Sequence, residues 1–309
     1  MGRLRYGTKN IPGSLVLRWM DCSPPKTMRK ADTEDFRETV FIGGIIVMST
    51  ENARIGIIGL GSMSSAIVRG FITHGGIDPT RITASARNRA RLENNCKALG
   101  IHPGTTAEVA ENSDIVIVGV IPTQVENVLR EVRDLLPGKI IVSIAYGISH
   151  QRYMELLPEG CHVICVVPNT PIEVGKGVLV CSNDHSLTEE QLEIFNELFG
   201  SIALIELLPP ELLDLGGIVA GSTPAFMDIV IESLADAAVL HGMPRATAYR
   251  LVEKMMEGSA AYAMETGSHP AALKDGVCSP GGATIKGVAT LETSGLRGAL
   301  IQAIVDIMK

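Results

Sequence analysis

Arg54-Ile-Gly-Ile-Ile-Gly-Leu-Gly-Ser-Met-Ser-Ser-Ala-Ile67 decides how the rest of this chain is read. The first half is a short run rich in Ile, the pattern of a strand buried on both faces. Leu60-Gly61-Ser62 is a tight turn, and from Met63 to His74 the residues Ala66, Ile67, Val68, Phe71 and Ile72 fall at helical spacing. Gly59-x-Gly61-x-x-Ser64 therefore stands between a strand and a helix, the context that a dinucleotide fingerprint requires. Gly59 makes the turn, and Gly61 lets a pyrophosphate reach the backbone at the helix N-terminus. Ser64 replaces a third glycine and is small enough for close packing of helix on strand. Ser62 and Met63 complete the expected cofactor-binding turn.

Working outward, short apolar strands alternate with helices. Strands are expected at Arg81–Ser85, Asp114–Ile121, Ile140–Ile144, Val163–Val167, Val178–Cys181 and Ile202–Glu206. Helices are expected over about Asn88–Leu99, Gln124–Leu135, Gln151–Leu156 and Thr188–Phe199. That alternation predicts an α/β fold, a Rossmann-like, parallel, doubly wound sheet spanning residues 51–208. The acidic residue that would hold an NAD ribose hydroxyl at the end of strand two is missing. Ala84-Ser-Ala-Arg-Asn-Arg89 stands there instead. Ser85 and Arg87 suit a 2′-phosphate by hydrogen bond and charge, which predicts NADPH ahead of NADH. Loops after later strands face the cofactor at the same edge. On that ground Val120 and Pro122 are expected to line it, and Asn169 to orient the nicotinamide amide. Ordinary turn chemistry is the alternative for each of these loops.

After Leu208-Pro209-Pro210 the pattern is almost entirely helical. Residues 209–309 are read as a separate helical domain, with helices at Pro224–Leu240, Arg245–Glu265 and Leu296–Met308. The first of these is apolar nearly all round and must be buried on most faces, either within the chain or against a second copy. Between them lies Leu273-Lys-Asp-Gly-Val-Cys-Ser-Pro-Gly-Gly-Ala-Thr-Ile-Lys-Gly287. Ser279 is placed to cap a helix with Pro280 at its first position. Small residues after it leave the backbone open to an anion. An ordinary capped helix start is the other reading of this stretch.

Composition excludes several classes. The net charge of −7 disfavours a nucleic-acid surface, which needs clustered Lys and Arg. Six scattered cysteines form no CxxC pair and no zinc pattern, so no metal is expected and a reducing cytoplasm is. Val40–Met48, taken as the longest apolar run, is about half a membrane span, so no membrane partner is expected. Residues 1–50 mix prolines and charges without periodicity. They are read as a disordered extension, or one absent from the native protein, with translation starting at Met48 behind a Gly43-Gly44 codon pair resembling a ribosome-binding site. The sequence holds no GxSxG elbow and no Cys–His arrangement. His241 and His269 are isolated and read as helix-end or turn residues.

Gly59-Leu-Gly-Ser-Met-Ser-Ser-Ala-Ile67, Asn169-Thr-Pro171, Gly221-Ser-Thr-Pro-Ala225 and His269-Pro-x-x-Leu-Lys-Asp-x-Val-x-Ser-Pro-Gly-Gly-Ala-Thr284 together resemble pyrroline-5-carboxylate reductase. The resemblance runs from about Arg54 to the C-terminus, and the last motif is the most specific. It implies a cytoplasmic enzyme of proline biosynthesis, an oxidoreductase reducing 1-pyrroline-5-carboxylate to L-proline with NADPH, or with NADH. It also implies a homodimer through the helical domain, with further assembly into a decamer. Thr284 matches the family's catalytic threonine, which donates a hydrogen bond or relays a proton to the imine nitrogen. Ser279, Gly281, Gly282, Ala283 and Ser222 are the implied substrate-binding residues. Departures occur at Gly217, Ile218, Thr223, Lys254 and Ile121. They leave the reaction class standing and keep two alternatives open: a reductase of another cyclic imine, and a catalytically weak, reductase-like regulatory protein.

Overall fold

The computed structural model describes residues 52–309, and the expectations for residues 1–50 and Met48 lie outside them. The chain begins with β1 (Ile55–Ile58), α1 (Ser62–Thr73), β2 (Ile82–Ser85), α2 (Arg89–Leu99), β3 (His102–Pro103) and α3 (Thr106–Asn112). It continues with β4 (Ile115–Val118), α4 (Pro122–Val132), β5 (Ile140–Ser143), α5 (His150–Leu156) and β6 (His162–Pro168). β7 (Gly177–Ser182), α6 (Glu189–Gly200) and β8 (Ala203–Leu208) complete the sheet. Among the described residues the strands form one sheet in the order β3-β2-β1-β4-β5-β6-β7-β8.

Burial explains the strands. All four residues of β1 and of β4 are buried. Ile55, Ile57, Ile115 and Ile117 enter the core under α1 and α6, while Ile58, Val116 and Val118 enter the one under α4 and α5. Each such side chain contributes roughly 1.5–3 kcal/mol of hydrophobic burial. The registers Ile58↔Ser85, Ile58↔Val118 and Val118↔Ser143 bring the carboxyl ends of β1, β2, β4 and β5 level. The loops that carry the expected cofactor residues thus lie along one edge. The strand order reverses between β1 and β4, which places a ligand crevice there.

The expected all-parallel sheet needs one correction. β7 runs antiparallel to β6, with β8 parallel to β7. Only the short turn Thr170–Val174 separates β6 from β7, too little chain for a parallel crossover. Within the sheet region two elements lay outside the sequence reading, β3 and α3. The signal for α3 was present: Thr105 accepts from the Glu108 N–H at 3.1 Å, and Glu108 accepts from the Thr105 N–H at 2.7 Å. That is a capping box, written in sequence as Thr-x-x-Glu.

Beyond the sheet follow α7 (Pro210–Gly221), α8 (Thr223–Leu240), α9 (Arg245–Thr266), α10 (Pro270–Gly276), α11 (Ala283–Thr293) and α12 (Leu296–Ile307). α8 is not buried on most faces within one chain. Ala235 alone of its residues is buried, and Ile229 and Leu240 are 63% and 82% exposed. The longest apolar stretch is also not Val40–Met48. Pro210–Leu240, 31 residues with mean hydropathy 1.4, is long and apolar enough to cross a membrane. Within it α7 and α8 meet at Ser222.

The helix expected to start at Pro280 starts three residues later. Ser279-Pro280-Gly281-Gly282 is a β-turn, closed by the Gly282 N–H on the Ser279 carbonyl at 3.0 Å. Pro280 takes the second position, and Gly281, at φ +69°, takes the left-handed third position that only glycine fills readily. Gly282 then precedes α11, without any side-chain cap. Ser279 therefore closes the turn rather than capping the helix.

Candidate active site

A cleft of about 350 Å³ opens at the carboxyl edge, lined by Gly59, Leu60, Gly61, Ser85, Arg87, Asn88, Arg91, Thr106, Gly119, Val120, Ile121 and Gln124 among others. Its floor is made by close backbone approach. Gly59 adopts φ +98°, and a Cβ there would stand 2.7 Å from the Gly119 carbonyl oxygen. The Ser64 hydroxyl donates to the Gly59 carbonyl at 2.7 Å, tying α1 to the turn. In front of Gly61, among the described residues, nothing lies within 4 Å of where a Cβ would sit. α1 begins there with no side-chain cap, so the N–H groups of Ser62, Met63 and Ser64 head the helix without intrahelical partners. This edge fits a dinucleotide: open backbone, free N–H groups and the positive end of a helix dipole.

The end of β2 fits a phosphate beside it. Gly59 and Leu60 donate to the Ser85 carbonyl at 2.9 and 3.2 Å, which fixes Ser85 at the cleft with its hydroxyl unpartnered among the described residues. Asn88 caps α2 by accepting from the Arg91 N–H at 3.0 Å. Arg87 and Arg91 flank that cap, both exposed and both without an ion pair among the described residues. Arg89 is different, spent on Glu93 at 2.8 Å and on the Gly104 carbonyl. Arg91 was missed by the sequence reading. Helical side chains lean toward the N-terminus, so a residue one turn into α2 reaches the same spot as Arg87. Pro122 opens α4 beside the cleft without lining it.

Thr284, Ala283, Gly281 and Ser279 are exposed, and Gly282 is half-buried. The N–H groups of Ala283, Thr284 and Ile285 head an uncapped α11, while the Gly282 N–H is spent in the turn. The single chain does not bring this group to the cofactor cleft: α11 packs on α12, and α12 touches α7. Ser222 is half-buried at the junction of α7 and α8.

Asn169 is placed otherwise than expected. It is 6% exposed and does not line the cofactor cleft. Its amide oxygen accepts from the Val178 N–H at 2.8 Å, and its amide nitrogen donates to the Ala220 carbonyl at 3.0 Å. A side chain already holding two backbone groups is not a free clamp for a nicotinamide amide.

Other ionisable groups near the edge are structural. Ser143 and Tyr153 share a buried 2.6 Å hydrogen bond, and burial pushes the Tyr153 phenol well up despite that bond. Burial likewise pushes the Cys165 thiol up to about 12. His241 ends α8, and His269 caps α10 by accepting from the Ala271 N–H at 3.2 Å, as helix-end residues do. Among the described residues no group of His, Cys, Asp and Glu could hold a metal ion.

Comparison with known proteins decides the family. Residues 210–309 match the model for pyrroline-5-carboxylate reductase dimerisation, and residues 54–147 match that for the coenzyme F420-dependent NADP oxidoreductases. The reductase of Treponema pallidum is 36% identical over 255 residues, 81% of this chain and 97% of that protein. The chain belongs to the pyrroline-5-carboxylate reductase family. The Escherichia coli reductase is 36% identical over 83% of this chain and 96% of its own length. Two solved pyrroline-5-carboxylate reductases share the fold. That of Coxiella burnetii has a TM-score of 0.73 at 28% identity, covering 82% of this chain and 95% of its own. That of Plasmodium falciparum, solved with NADP bound, has 0.74 at 26%, covering 83% and 95%.

Of the departures from the family pattern, Thr223, Ile218 and Gly217 have structural roles here, while Lys254 and Ile121 lie on the surface. The Thr223 hydroxyl bonds the Val219 carbonyl, and Ile218 is buried. Gly217 lets α7 approach β6, since a Cβ there would stand 3.0 Å from the Val167 side chain. Lys254 pairs with Glu257 at 2.7 Å on an exposed face of α9. Ile121 lies 59% exposed at the cleft rim.

Proposed function

We propose that this member of the family reduces 1-pyrroline-5-carboxylate to L-proline, the closing step of proline biosynthesis, with NADPH as reductant. The observation that carries the reading is the occurrence in one chain of a nucleotide cleft bearing two arginines unpaired among the described residues and an uncapped α11 that starts at Ala283-Thr284. When bound, the dihydronicotinamide supplies a hydride to the imine carbon. Gly59, Gly61 and the first N–H groups of α1 would hold the pyrophosphate, with Ser85, Arg87 and Arg91 at the 2′-phosphate. Val120 lines the same cleft, with Pro122 beside it.

The substrate carboxylate is assigned to the N–H groups of Ala283, Thr284 and Ile285 and to the Ser279 hydroxyl, where the helix dipole adds attraction. Gly281 and Gly282 shape that pocket, and Ser222 contributes from the α7–α8 junction. The Thr284 hydroxyl is too weak an acid to be a free proton source. It donates a hydrogen bond, or relays a proton, to a nitrogen that takes up one proton as the C=N bond accepts hydride. One imine, one NADPH and one proton give one proline and one NADP⁺.

Thr284 is exposed and apart from the cofactor cleft in one chain, and α8 shows an uncovered apolar face. Both are explained if dimerisation through residues 210–309 completes the site. Further assembly into a decamer is the family's expectation, checked by light scattering. Free thiols at Cys96, Cys161, Cys165, Cys181 and Cys278 support a cytoplasmic setting. The test is NADPH oxidation with pyrroline-5-carboxylate, pyrroline-2-carboxylate and piperideine carboxylates in parallel. A preference for the first is expected. A preference for another reassigns the substrate, and no turnover on any supports the regulatory reading.

A further inference from the structure

The junction between α7 and α8 contains a gap that the helices cannot fill themselves. In a helix the carbonyl of Ala220 would accept the N–H of residue 224. Residue 224 is proline and has no N–H. Ser222 keeps helical dihedrals, φ −92° and ψ −32°, so the chain stays close to helical through the junction with one orphan carbonyl. The neighbouring carbonyls are satisfied locally, Ile218 by the Ser222 N–H at 3.0 Å and Val219 by the Thr223 hydroxyl. The donor for Ala220 comes from 51 residues away: it is the amide nitrogen of Asn169, at 3.0 Å. The same side chain accepts from the Val178 N–H at 2.8 Å, while its backbone N–H donates to the Val178 carbonyl at 3.2 Å. One buried amide thus joins the end of β6, the start of β7 and the end of α7. Gly216 and Gly217 bring α7 close enough for this; added Cβ atoms would meet Leu208, Val180 and Val167.

We infer that Asn169 is a positioning residue of the reductase: by satisfying the carbonyl that Pro224 orphans, it fixes the point from which Ser222 and the helical region leave the sheet. The inference rests on the proposed imine reduction for its kinetic readout, while the hydrogen-bond pairing itself is tested independently of turnover. Asn169 touches neither the cofactor cleft nor Thr284, so its loss should leave NADPH affinity alone.

The experiment compares wild type, Asn169→Ala, Pro224→Ala and the double variant, reading NADPH Kd, kcat/KM for the imine, and hydrogen exchange over residues 217–227. Asn169→Ala should hold Kd within twofold, lower kcat/KM at least tenfold, and speed exchange in that segment. Pro224→Ala restores an N–H to the helix. The double variant should therefore regain at least threefold in kcat/KM, and most of the lost protection, over Asn169→Ala. Unchanged kcat/KM in Asn169→Ala overturns the inference. So does a parallel loss of NADPH binding, the mark of a general folding defect, or the absence of rescue by Pro224→Ala. If Asn169→Ala is insoluble, the comparison is made between Pro224→Ala and the double variant, where solubility is expected and insolubility refutes the pairing. If wild type reduces no imine, the functional proposal fails, and the exchange and its rescue still decide the role of Asn169.

Discussion

Replacing Arg87 by Ala should separate the two nicotinamide cofactors. Arg87 is exposed beside the Asn88 cap, makes no ion pair among the described residues, and borders the same cleft as Ser85 and Arg91. Its guanidinium is therefore available to a 2′-phosphate, and only NADPH carries one. A hydrogen bond to a charged partner contributes about 1.5–3 kcal/mol, and solvent exposure argues for the lower end. At about 1.4 kcal/mol per factor of ten, Arg87→Ala should raise the KM for NADPH roughly tenfold. Arg91→Ala should do the same, and the double variant should lose on the order of a hundredfold if the two act independently. kcat/KM with NADH should stay within twofold throughout. Steady-state kinetics with both cofactors at saturating imine measure this directly. Equal losses with NADPH and NADH would show that the arginines shape the cleft rather than read the phosphate.

Thr284→Ala should lower kcat on the order of a hundredfold, the effect of removing one positioned donor, while NADPH Kd stays within twofold; parallel losses would make Thr284 structural. Ile229→Glu places a charge on the uncovered face of α8 and should give a monomer by size-exclusion chromatography that binds NADPH but does not reduce imine. A dimer with full activity would move the interface elsewhere. The last prediction concerns acid stability. Burial raises the Asp114 carboxyl, but the Arg54 side-chain bond, the Arg54 N–H and the charges of Arg54 and Lys139 outweigh it and hold the group below its ordinary range. A depressed folded pKa stabilises above the unfolded value, near 3.9, and that stability is lost as pH falls through the folded pKa. Arg54 is half exposed, so Asp114→Asn should cost no more than about 1 kcal/mol at pH 7. Urea denaturation at pH 7 and pH 3 should show that difference shrinking at the lower pH, and a difference that grew would contradict the assignment.

Much of the sheet was legible because strands buried on both faces must be continuous apolar runs. Ile55–Ile58 and Ile115–Val118 have no other sensible reading in a chain of this length. The direction of β7 was not legible, since an antiparallel strand between two buried neighbours has the same composition as a parallel one. Only the shortness of the Asn169–Lys176 connection carried that information. The turn at the cleft edge could be read from Gly59 and Gly61, since the positive φ of the one and the open backbone of the other both call for glycine. Arg91 was hidden because its approach to Arg87 depends on the helix that Asn88 caps. Asn169 was misread for a related reason. A polar residue after a strand looks available to a ligand until the orphan carbonyl made by Pro224, 55 positions later in the numbering, is brought against it. Which of the two covers α8, the same chain or a second copy, was not legible, because a face covered by a second copy is as apolar as a core.

Imine reduction is tested most directly by following the transferred hydrogen. Enzyme, pyrroline-5-carboxylate and NADPH carrying deuterium at the transferable C4 position are mixed, and the product is examined by mass spectrometry and NMR. One proline should form per NADPH consumed, with a single deuterium at the ring carbon that was part of the C=N bond. Oxidation of NADPH without labelled proline, or no reaction at all, would contradict it.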